Sequence, residues 1–157
     1  MSGHFLLIEN VISPKIKVGV YMHKNQKLKT ALSTTINRLS KKETPYQWGH
    51  FGQCNCGHLA QSVTQFTSRE IHQSASLLGG DWGVRAEEFC PVSRHLIDDI
   101  IRQLLVIGLE QEDIIHLENL SDPQILKKIP GQPKELERHS KEDAIKYLQA
   151  MYDFIDE

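Results

Sequence analysis

No stretch of this chain approaches the roughly 18 uninterrupted apolar residues of a membrane-spanning helix, so no membrane segment is expected. Neither sign of charge dominates: 18 Lys and Arg stand against 20 Asp and Glu, for a net charge of -2. That balance leaves no electrostatic footprint for nucleic acid or an anionic surface. The basic runs at Lys24 to Lys29, Lys41-Lys42 and Lys127-Lys128 are short and read as solvated faces. Cysteine is scarce. Three residues make an odd number with no disulfide framework, which reads as reduced thiols in a cytoplasmic protein. Repeats and low-complexity segments are absent. The apolar start Phe5-Leu6-Leu7-Ile8 is cut by Glu9 and Asn10. It has no basic segment before it and no small-residue cleavage site after it, so a secretory signal is not expected.

What is present is ordinary globular composition. Hydrophobic residues are 39% and charged residues 24% of 157, enough for one domain with a buried core. Ile16, Val18, Val20 and Met22 alternate with Lys15, Lys17, Gly19 and Tyr21, a period-two pattern that predicts a short strand after the Ser13-Pro14 turn. The helical pattern begins just after Met22. Residues 1–21 therefore read as an extension, disordered or belonging to a non-native start, and 22–157 as a helical domain.

Leu28, Ala31, Leu32, Ile36 and Leu39 mark a first helix, over about residues 27–40, ended by Thr44-Pro45. Leu59, Ala60, Val63 and Phe66 mark a second. Thr67 and Glu70 have capping-box spacing and open a third, stopped at Gly79-Gly80. Ser93 is a good N-cap for the next helix, over residues 94–107, whose wide apolar stripe predicts a central, nearly surrounded element. Acids open a helix from Glu110, Pro123 follows an Asp122 cap, and Ser140 with Asp143 opens the last helix. The expected fold is all-α: an irregular bundle of six or seven short helices. The helix from Glu110 and its neighbours resemble a helix-turn-helix, but no basic recognition helix accompanies them, so no nucleic-acid partner is expected.

The densest chemistry lies in His50-Phe51-Gly52-Gln53-Cys54-Asn55-Cys56-Gly57-His58, with Cys90 and His95 as a second group. Both groups sit where predicted helices begin, and backbone N–H groups there stabilise thiolate. One reading is a zinc site. Cys54, Cys56 and Cys90 would supply thiolates and one of His50, His58 or His95 the fourth ligand, a closed Cys₃His set. An iron–sulfur cluster ordinarily wants a fourth thiolate, which the chain lacks. A second reading is a cysteine-dependent hydrolase or thiol-redox protein using Cys56, with a base among His95, His50 and His116. A third is a helical interaction module whose cysteines pack as small hydrophobes. His95, Asp98, Asp99 and Arg102 share one helix face, where a His–Asp pair could orient an imidazole. Trp48 and Trp82 wall a pocket or pin their loops to the core. His72, His116 and His139 each stand alone and read as structural.

The run Cys56-Gly57-His58-Leu59-Ala60-Gln61 is loosely similar to the nucleophile turn of papain-like cell-wall amidohydrolases. Those enzymes take their histidine from a later strand, where this sequence predicts helices. As a set, Tyr46-Gln47-Trp48-Gly49, Cys54-Asn55-Cys56-Gly57-His58-Leu59-Ala60-Gln61, Gly80-Asp81-Trp82 and Cys90-Pro91 resemble a family of small uncharacterised helical bacterial proteins. The resemblance covers about residues 23–155. It implies a helical fold and a start at Met22, and it implies no activity.

Overall fold

Amphipathic segments joined by tight turns fold onto one another in a computed structural model that describes residues 25–155. Those residues form eight helices and no strand, an all-α fold. They are α1 (25–39), α2 (Asn55–Thr64), α3 (Ser68–Ser76), α4 (Trp82–Glu87), α5 (Leu96–Val106), α6 (Gln111–Asn119), α7 (Pro123–Leu126) and α8 (Lys141–Ile155). The expected strand over residues 15–22 and the division after residue 21 lie outside the described residues. No helix among them is long and apolar enough to cross a membrane.

Local chemistry sets most helix starts. Thr67 Oγ1 accepts from the Glu70 N–H at 3.1 Å, and Glu70 Oε1 accepts from the Thr67 N–H at 3.1 Å, the capping box its spacing predicted. Asp81 caps α4 and Asp122 caps α7, with Pro123 in the first turn. Ser93 behaves differently from the expectation. Its hydroxyl donates to Asp98 Oδ2 at 2.5 Å and accepts from the His95 N–H, and the helix starts only at Leu96.

Ile97, Ile100, Ile101 and Leu104 of α5 are buried and the helix packs against α2, α3 and α4, while its first and last residues, Leu96 and Val106, are 40% and 57% exposed. An equally enclosed element is the first half of α2. All of Asn55, Cys56, Gly57, His58, Leu59 and Ala60 are buried there, and α2 packs against α3, α5 and α6. Further packing joins α4 to α6 and α7 to α8, around a single core that includes Leu32, Leu59, Ile101, Ile114 and Leu148.

The capping box gives a first test. Thr67→Ala removes one side of the reciprocal pair and should lower the urea-unfolding free energy by about 1 kcal/mol. An unchanged unfolding curve would mean that the box adds nothing to the start of α3.

Candidate functional site

The Cys/His run opens with a turn whose amides from His50 to Cys54 are all hydrogen-bonded. Gln47 N–H donates to the Gln53 carbonyl at 3.0 Å, and the Gln53 and Cys54 N–H groups donate to the His50 carbonyl at 3.1 and 3.0 Å. Imidazoles take the Phe51 and Gly52 N–H groups: His72 Nδ1 accepts from Phe51 and His50 Nδ1 from Gly52, each at 3.1 Å. The two rings stack with centroids 3.9 Å apart and planes 14° off parallel. Both Nδ1 atoms accept, so each ring is neutral and carries its proton on Nε2. Glycine is obligatory at two places: a Cβ on Gly52 would lie 1.9 Å from the Ser68 carbonyl oxygen, and one on Gly57 2.2 Å from that of Phe51.

The turn is anchored to α6 and α4. A helix leaves its last carbonyls without helical donors. The Asn55 side-chain amide serves Leu117 at 3.4 Å, and Trp48 Nε1 serves Glu118 at 3.1 Å. The buried Glu118 carboxylate turns the other way and accepts from the N–H groups of Trp82 (3.3 Å) and Gly83 (2.8 Å) at the start of α4. Trp82 Nε1 closes the circuit by donating to the Phe51 carbonyl at 3.0 Å. Both tryptophans therefore pin their segments to the core.

The cysteines fall into two environments. Cys54 is the N-cap of α2: its Sγ accepts from the Gly57 N–H at 3.4 Å. Cys56 Sγ–H donates to the Ile114 carbonyl at 3.4 Å. Burial pushes the Cys54 thiol up to about 12, against the pull of the Gly57 N–H. It also pushes the Cys56 thiol well above the ordinary range, with neighbouring Cys54 adding to the effect. The thiolate stabilisation expected at a helix start is thus outweighed by desolvation. Cys90 is half-buried in the turn before α5, where its backbone N–H donates to Asp98.

The histidines are also spread. His58 is buried, donates from Nε2 to the Pro45 carbonyl at 2.8 Å, and leaves Nδ1 without a partner among the described residues. Burial lowers its pKa to about 4. Burial and the stacked His72 lower that of His50. His95 lies across a groove between α3 and α5 that His72 also lines. Asp99 pairs with Arg102 (2.9 Å) and Gln103. Among the described residues, no group of three or more His, Cys, Asp or Glu is arranged to hold a metal ion. Cys54 and Cys56 are thus brought together in the core with His50 and His58 in the same segment, and no ligand set with Cys90 or His95 is formed.

Sequence reasoning passed over a second polar gathering. Asp113 and His116 of α6, Asp122 before α7 and Tyr147 of α8 line a cavity of about 120 Å³, walled by Leu28, Ile125 and Met151. The members are up to 34 positions apart and each looks unremarkable in its own helix, so only the tertiary fold reveals them. No known protein family, curated protein or solved structure matches the chain.

His58 generates a pH prediction. Its pKa in the fold, about 4, lies below the ordinary 6.5, so the folded state favours the neutral ring. Its contribution to stability is full above pH 6.5 and is lost as pH falls toward 4, by about 3 kcal/mol in total. His58→Gln keeps an N–H for Pro45 and cannot titrate. Urea unfolding at pH 7 and pH 4 should show a pH-induced loss smaller by about that amount in the variant. Equal losses in the two proteins would show that His58 does not carry this dependence.

Proposed function

We propose that this chain is a helical interaction module whose Cys/His run is framework and carries no chemistry of its own. The observation that carries the reading is the double engagement of the two core thiols: Cys54 caps α2, and Cys56 donates to α6 as a protonated thiol. A nucleophile needs an accessible, acidic thiol, and a zinc ligand must be deprotonated. Both demands run against the direction in which burial moves these groups. Reduced thiols packed in this way fit a cytoplasmic setting.

An interaction module also needs an exposed apolar face. The groove between α3 and α5 offers one, of about 720 Å³, with Leu77 82% exposed and Leu96 40% exposed along it and His72 and His95 as polar neighbours. Val92, in the turn before α5, is exposed as well. A partner presenting apolar side chains would cover these leucines.

Elemental mass spectrometry of the purified protein, beside native thiol titration, separates this reading from the other two. The expected result is no stoichiometric metal, one titrating thiol (Cys90), and two thiols that react only on unfolding. One zinc per chain, lost in Cys54→Ser, would establish a metal protein instead. A fast-reacting Cys56 would establish a cysteine-dependent enzyme.

A further inference from the structure

The cavity where α1, α6, α7 and α8 meet has polar groups left unspent. Asp113 accepts one hydrogen bond, from the Glu110 N–H to Oδ2 at 2.8 Å, and Asp122 accepts one, from the Gln124 N–H to Oδ1 at 2.9 Å. The other oxygen of each carboxylate has no hydrogen bond among the described residues. Tyr147 is 1% exposed, and its hydroxyl oxygen accepts from the Asp122 N–H at 3.2 Å. The phenolic proton has no acceptor among the described residues, although a buried hydroxyl ordinarily finds one. His116 Nδ1 is occupied by the Ser121 hydroxyl at 2.8 Å. The remaining walls are mostly apolar, Leu28, Ile125, Met151 and Phe154 among them, with Asn25 as the one further polar side chain.

We propose that this cavity binds a small organic ammonium ion that also carries a hydroxyl, a short amino alcohol, with Asp113 and Asp122 meeting the cation and Tyr147 O–H donating to the hydroxyl oxygen. Three features select that class. Two carboxylates in one half-enclosed space repel each other until a cation arrives between them. The free phenolic proton asks for an acceptor oxygen in the same ligand. The apolar walls and the volume, about 120 Å³, suit a chain of about five or six heavy atoms, since a cavity of about 150 Å³ accommodates benzene. Burial and the neighbouring carboxylates hold the Asp113 pKa above its ordinary value, as expected of an acid awaiting a counter-charge. A bare metal ion fits less well, because the cavity's acids and imidazole do not form a ligand set. The inference is independent of the thiols and of the α3–α5 groove.

Nuclear magnetic resonance titration of the full chain with 3-aminopropan-1-ol, propylammonium and 1,3-propanediol tests it. The amino alcohol should bind saturably, with Kd on the order of millimolar, and shift the resonances of Ile125, Tyr147 and Met151. Propylammonium should bind more weakly and the diol weakest. Asp113→Asn keeps an oxygen for the Glu110 N–H and should weaken the amino alcohol about tenfold or more. Tyr147→Phe should make the amino alcohol and propylammonium equal. Diol binding as tight as that of the amino alcohol, an unchanged Kd in Asp113→Asn, or no saturable binding by the unmodified chain would each overturn the proposal.

Discussion

A turn folded into the interior must pair every backbone polar group it takes with it, because an unpaired one costs about 1–3 kcal/mol. The inner part of this turn, from Phe51 to Cys54, is under that constraint, and the arrangement around it follows. Its inner amides find two imidazoles, those of His50 and His72, and the His50 carbonyl. Trp48 of the turn and the adjoining Asn55 finish the carbonyls at the end of α6. Glu118, from the same end of α6, holds the first N–H groups of α4, and Trp82 of α4 returns to the Phe51 carbonyl. Loop, α2, α4 and α6 thus form one closed set of hydrogen bonds, in which removal of Asn55, Glu118 or the Trp82 indole strands a buried partner. The residues that stand out as a motif set, two tryptophans, two cysteines, an asparagine and glycines, are the residues this closure requires.

The same burial decides the chemistry of the thiols. A helix start favours a nearby negative charge by roughly 0.3–1 kcal/mol, up to about 2 in favourable sites. The rise of the Cys54 thiol from 9.0 to about 12 corresponds to about 4 kcal/mol against the thiolate. Desolvation wins, so Cys54 acts as a cap and Cys56 as a hydrogen-bond donor. Placement at a helix start identifies a reactive cysteine only when that start reaches water, and here it is buried in the core.

Helix existence was legible where local signals act alone: the Thr67–Glu70 box, the Asp122–Pro123 start, and the apolar faces of α1 and α8. Legibility failed where a tertiary partner intervened. Asp98 captured the Ser93 hydroxyl and delayed α5. The polar-looking start of α2 became part of the core because its partners in α6 lie 58 and 62 residues away. His72 looked solitary yet pairs with His50 across 22 positions. The cavity acids were invisible for the same reason: Asp113 and Asp122 read as helix-start residues, which they also are.

Amide hydrogen exchange of the unmodified protein addresses the closed set directly, because a surface loop and a buried, fully bonded turn differ by orders of magnitude in protection. The Phe51, Gly52 and Cys54 amides should exchange as slowly as those of α2 and α6, and their protection should collapse together as urea approaches the global transition. Rapid exchange of these three amides while α2 and α6 stay protected would contradict the account and leave the turn a loose surface loop.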